Sequence, residues 1–191
     1  APSGLSIGGY GEMVFESFDR ERQNGAPSGR RPQLDLLRTV FYIGHKFSDD
    51  LLFNSEIEWE HVGVLDEAAV EVDTGTGEGE AELSGEALVE FAYLDWMPSP
   101  SFGVRAGKLL VPVGMVNEWH EPPVFLGAKR PDVERNIVPS TWTANGAGFF
   151  GGFGNGVSYR AFLIEGLDAS RFSASSAIRG GRQEGVRSRM T

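Results

Sequence analysis

The sequence predicts an all-β fold, an antiparallel up-and-down sheet of the transmembrane β-barrel type. Three observations carry that expectation. Apolar and polar residues alternate with period two along most of the chain; the alternating segments are long; and their connections alternate between short and long. Strict alternation sends successive side chains to opposite faces, so one face meets an apolar phase and the other meets water.

The elements follow in order. Leu5–Asp19 opens the series and Leu34–Phe47 repeats it. Residues 53–61 are the clearest case: Phe53, Ser55, Ile57, Trp59 and His61 share one face, Asn54, Glu56, Glu58 and Glu60 the other. Glu86–Trp96, Phe102–Val116, Ala144–Phe153 and Val157–Leu167 complete about seven strands. Most run 10–15 residues, whereas globular strands cluster at about 5–6 and a tilted bilayer crossing needs about 9–11. Ser48-Asp49-Asp50, Pro98-Ser99-Pro100-Ser101 and Gly154-Asn155-Gly156 supply tight turns between successive strands. Long loops lie near 20–33, 62–85, 117–143 and 169–191. Short and long connections alternating in this way are the plan of an outer-membrane barrel, whereas a soluble sandwich has no reason to sort its loops so. Seven strands cannot close a bacterial barrel, which takes an even number. The chain, 1–191, is therefore expected to be a single partial barrel domain, the N-terminal part of a larger one.

Composition narrows the function classes. The 191 residues carry 17 basic and 27 acidic side chains, a formal charge of −10, which disfavours nucleic acid as a partner. The absence of cysteine excludes thiolate metal sites and Cys nucleophiles. No apolar run reaches the about 20 residues of a membrane-crossing helix. Between Phe47 and Val104 there is no Lys or Arg but there are 15 acidic residues, many of them in 66–86. That segment reads as a solvated loop, with binding of divalent cations that bridge lipopolysaccharide as the alternative.

One stretch goes beyond architecture. Gly107-Lys108-Leu109-Leu110-Val111-Pro112-Val113-Gly114, followed by Asn117-Glu118-Trp119-His120-Glu121-Pro122-Pro123, resembles the phosphate-selective porin O and P family. Arg130-Pro131 through Arg135 to Val138-Pro139-Ser140-Thr141-Trp142 continues it, as do Ser158-Tyr159-Arg160 and Glu165-Gly166-Leu167-Asp168. The resemblance implies a barrel of about 16 strands with an aqueous lumen, assembled as a homotrimer in the bacterial outer membrane. Membrane lipid and lipopolysaccharide would surround it. Small hydrophilic solutes or ions would cross passively, with anions such as phosphate among the candidates. It also implies that the loop Pro122–Trp142 folds inward, making Lys129, Arg130, Asp132, Glu134 and Arg135 the pore constriction.

Pore-lining candidates follow from the polar parity: Arg38, Lys46, Glu56, Glu58, Glu60, Glu90, Lys108 and Arg160, with Glu12 and Glu16 on the same face. Phe41, Ile43, Phe53, Ile57, Trp59, Phe91 and Tyr93 are expected to meet lipid. Catalysis and cofactors are not expected. Gly146-Ala147-Gly148-Phe149-Phe150-Gly151 matches a dinucleotide pattern, but no strand-to-helix context surrounds it. His120 with Glu118 and Glu121 could hold a divalent ion, although a polar barrel rim is the preferred reading, so no metal is assigned. The rival readings are a soluble β-sandwich binding module and an outer-membrane barrel enzyme, for which no Ser/His pair is visible.

Overall fold

The protein is described by a computed structural model over residues 4–65, 83–124, 130–139 and 141–182. Seven strands dominate: β1 (Gly4–Glu16), β2 (Gln33–Lys46), β3 (Leu51–Leu65), β4 (Leu83–Ser99), β5 (Phe102–Leu110), β6 (Thr143–Gly152) and β7 (Ser158–Ile164). They pair in sequence order in one sheet, β1-β2-β3-β4-β5-β6-β7, an up-and-down meander that is not closed into a barrel among the described residues. The β4–β5, β5–β6 and β6–β7 ladders are antiparallel.

The short turns sit where Gly, Asp, Pro and Ser clusters place them. At the β2–β3 turn, Ser48 Oγ donates to Asp50 at 2.5 Å and Lys46 Nζ lies 2.6 Å from Asp49. Asp50 also accepts from the indole of Trp96 at 3.2 Å, fastening this turn to the end of β4. Gly156 turns the β6–β7 hairpin with φ +86°, a conformation that costs glycine little. The dinucleotide-like glycines 146, 148 and 151 lie on β6 opposite Ile164, Phe162 and Tyr159 of β7, so the pattern belongs to a strand with a hairpin after it.

Several boundaries differ from expectation: β1 ends at Glu16, β3 runs to Leu65 inside the expected loop 62–85, β4 ends at Ser99 and β7 at Ile164. β5 ends at Leu110 instead of Val116, because Pro112 lacks an amide donor and Gly114 takes φ +75° before the short helix α1 (Met115–Glu118). β4 starts at Leu83, inside the expected loop 62–85. The expected loops after β5 and β7 carry local structure: a second short helix, α2 (Asp132–Asn136), and 3-10 turns at Ala169–Arg171 and Ile178–Gly181.

The described residues group into two compact units. Unit one is drawn from Ala1–Ser6, Ile43–Glu56 and Glu90–Thr191, and unit two from Ile7–Tyr42 and Ile57–Val89. Burial within both is inverted relative to a water-soluble protein. Leu5 is 63 % exposed, Phe15 66 % and Leu163 85 %, whereas Glu56 is 1 %, Glu58 2 % and Glu90 4 % exposed. The fully buried apolar residues are few: Val40 in unit two, and Leu109, Val111 and Ala144 in unit one.

Candidate functional site

In unit two the polar face of the strands gathers around one guanidinium. Arg38 on β2 lies 2.8 Å from Glu12 of β1, 2.7 Å from Glu58 and 3.2 Å from Glu60 of β3. Arginine suits this position, since its planar fork presents several donors at once. Arg38 was expected as a basic element of a pore wall; three carboxylates surround it, so the local charge is acidic. On the opposite face, Phe41 and Trp59 meet edge to face at 5.6 Å, as their parity predicts.

The alternation slips in two places. On β2, Leu34 and Leu36 are exposed, yet Arg38 and Val40, of the same parity, turn inward. His61 on β3, expected on the apolar face, takes φ +50° and pairs with Asp35 at 2.7 Å. A one-residue slip is what a β-bulge introduces, and period-two reading cannot foresee it.

The second slip lies in unit one, on β4. Tyr93, expected to meet lipid, instead lies under Arg105, whose guanidinium is 3.8 Å from its ring centroid, and Phe91 packs beside Tyr93 at 5.4 Å. Arg105 also donates Nε and a terminal nitrogen to Asp95 at 2.7 and 2.8 Å, a bidentate pair. Gly107, opposite Tyr93, has φ +140°, and a Cβ there would run into the Ala92 carbonyl and Tyr93. Asp95 and Arg105 are polar-face residues that sequence reading missed; the signal was an Asp and an Arg at paired positions flanking the Pro-Ser turn.

The most enclosed polar cluster of unit one is built at the base of the segment after β5. Asn117, on α1, clamps both ends of that segment. Its amide nitrogen donates to the carbonyls of Val111 and Trp142 at 2.7 and 2.9 Å, and its oxygen accepts from the Trp142 amide at 2.6 Å. The clamp delivers His120, 3 % exposed, with Nδ1 3.0 Å from the Asn117 carbonyl. A carbonyl only accepts, so Nδ1 carries the proton. Burial holds the His120 pKa below the usual histidine value, against the pull of Glu121. With its proton on Nδ1, the neutral imidazole presents an Nε2 lone pair.

That lone pair faces carboxylates. Nε2 lies 3.4 Å from Glu121 and 3.9 Å from Glu56 on β3. One oxygen of each carboxylate and one imidazole nitrogen all fall within 4.8 Å of one another. Glu90 on β4 and Arg130 act on the same cluster electrostatically. Arg130 also donates Nε to the His120 carbonyl at 3.2 Å and a terminal nitrogen to Thr141 at 3.0 Å.

The constriction set thus divides. Arg130 is built into the loop base, Asp132 and Glu134 sit on α2, and Lys129 and the Arg135 side chain lie outside the described residues, as does the acidic stretch 66–82. Glu118, once grouped with His120, pairs instead with Arg160. Lys108 is half-buried on β5, and Lys46 stands beside Asp49.

The chain is 45 % identical over 184 residues to an uncharacterized protein of Aquifex aeolicus (strain VF5). The aligned stretch is 95 % of this chain and 37 % of that relative, so the chain spans little more than a third of the relative's length. No family model and no solved structure matches the chain.

Proposed function

We propose that the chain is the N-terminal part of an outer-membrane porin, through which small hydrophilic solutes pass passively. One observation carries the reading: long antiparallel strands whose apolar side chains face outward while their carboxylates are enclosed. In water, every apolar side chain left exposed forgoes about 1.5–3 kcal/mol of burial. In lipid the same row is the favoured arrangement, and the polar face lines an aqueous bore. An open sheet edge cannot face hydrocarbon, so closure calls for further strands. The relative's greater length has room for them. The likeness of the Gly107–Gly114 segment to phosphate-selective porins supports the same architecture.

The charges on the polar face favour cations over anions such as phosphate. Arg38, Arg105 and Arg160 each stand against a carboxylate, and Glu56, Glu58 and Glu90 are enclosed on the same strands. A wall of this sign attracts counter-ions of positive charge. Planar-bilayer recording on the full-length protein tests both parts. Discrete conductance steps are expected, with a reversal potential in a KCl gradient of the sign that K⁺ preference gives. Absence of channels in detergent-extracted, folded protein overturns the porin reading; a Cl⁻-preferring reversal potential overturns the selectivity.

A further inference from the structure

We propose that Glu56, His120 and Glu121 form a binding site for a first-row divalent transition ion of the zinc class, one that fastens the segment after β5 to strand β3. The donor set is one imidazole nitrogen and two carboxylate oxygens. That mixture suits zinc and its neighbours, whereas calcium and magnesium prefer oxygen alone.

The geometry fits. Ligands at about 2.0–2.2 Å from a tetrahedral ion stand roughly 3.3–3.6 Å from one another. Nε2 of His120 lies 3.4 Å from Glu121 and 3.9 Å from Glu56, and all three donor atoms lie within 4.8 Å of one another, so a small movement of the carboxylates brings the set to liganding separations. His120 supplies an independent indication. It is 3 % exposed, and its Nε2 has no hydrogen-bond partner while aiming at two carboxylates. Its Nδ1–H is tied to the Asn117 carbonyl, the tether that metal-binding histidines commonly use to fix tautomer and ring orientation. Glu56 and Glu121 are both acceptors when ionised, and a shared proton or a cation between them would hold the two together.

Glu56 and Glu121 together match a 2+ ion, and Glu90 adds negative potential close by. Arg130 weakens that attraction, yet the three carboxylates outnumber it. Asn117, held by Val111 and Trp142, fixes the approach of the histidine before any ion arrives. Three protein ligands leave a fourth position for water.

The test uses the full-length protein, stripped with EDTA and titrated with Zn²⁺ by calorimetry. One high-affinity equivalent per chain is expected. His120→Ala and Glu56→Gln should each weaken it by about 100-fold or more, and Glu118→Gln, whose side chain is engaged by Arg160, should leave it unchanged. Weak binding by acidic surface segments is separated by this comparison, since it survives His120→Ala. X-ray absorption of the zinc-loaded wild-type protein gives a readout that needs no variant, and one imidazole with oxygen neighbours is expected. No high-affinity equivalent, a site indifferent to His120→Ala, or a spectrum without imidazole overturns the proposal. None of these readouts depends on conductance, so the porin reading stands or falls separately.

Discussion

Glu56 and Glu58 are two residues apart on β3, share a parity and are both essentially buried, yet their partners differ in kind. Glu58 meets Arg38, a permanent cation that Glu12 and Glu60 also flank. Glu56 meets an imidazole and another carboxylate. A guanidinium stays charged at every accessible pH, so the cluster of unit two carries a permanent cation, shared among three carboxylates. The cluster of unit one sets two carboxylates and an imidazole together, an arrangement that a proton or a metal ion would hold. One strand thus carries a fixed structural charge pair and, one repeat earlier, a group whose state depends on what binds it.

The largest expected effect comes from removing the fixed cation. Arg38→Met keeps the length of the side chain but leaves Glu58 buried without its counter-charge. Breaking a buried pair from one side costs about 3–5 kcal/mol. Urea unfolding in lipid vesicles, followed by tryptophan fluorescence, should show a loss of that size. A loss of about 1 kcal/mol or less, the range of exposed pairs, would mean that water reaches Glu58 and that the two clusters are less different than their burial suggests.

A matched pair of amide substitutions sharpens the comparison at smaller cost. Glu58→Gln deletes a charge-assisted contact with Arg38 and should destabilise by about 1.5–3 kcal/mol. Glu56→Gln in the metal-free protein removes a carboxylate that faces Glu121, and should leave the unfolding midpoint unchanged or raise it. With zinc present the order changes: Glu56→Gln loses the gain in midpoint that zinc gives the wild-type protein, whereas Glu58→Gln keeps it. Equal losses for both amides in EDTA would show that Glu56 has a permanent counter-charge after all.

Much of the sheet was legible in the sequence, because period-two alternation and turn-forming residues are local signals. Glu56, Glu58 and Trp59 fell on the faces that alternation assigned them. Tyr93 and His61 did not: on β4 the enclosed face changes parity between Glu90 and Asp95, and His61 takes a positive φ, neither with a local mark in the hydrophobic pattern. The Glu56–His120–Glu121 cluster was half visible. His120 and Glu121 are adjacent and stood out, but Glu118 seemed the natural third member by proximity in sequence. Only the Asn117 clamp, which folds the segment back between Val111 and Trp142, brings Glu56 to the histidine and leaves Glu118 to Arg160. Such closure depends on contacts between residues far apart in the chain, and spacing alone does not encode it.

The smallest expected effect concerns a carboxylate served by neither a guanidinium nor an imidazole. Asp168 caps the 3-10 turn at Ala169–Arg171, its Oδ1 accepting from the Ser170 amide at 3.0 Å and the Ser170 hydroxyl at 2.6 Å. These hydrogen bonds, with Arg171 nearby, hold its pKa below the usual aspartate value. A depressed folded pKa means that ionisation favours the folded turn. The contribution is fully present above the ordinary aspartate pKa of about 3.9 and is lost as pH falls from there through the lower folded value. NMR titration of the Asp168 carboxyl carbon should therefore give a midpoint below that of an unfolded reference peptide, and Ser170→Ala should move it back up. The group is in open solvent, so the shift should shrink little in 0.5 M salt if hydrogen bonds cause it and collapse if Arg171 does. A midpoint at the reference value would mean that neutral donors do not hold an exposed carboxylate here.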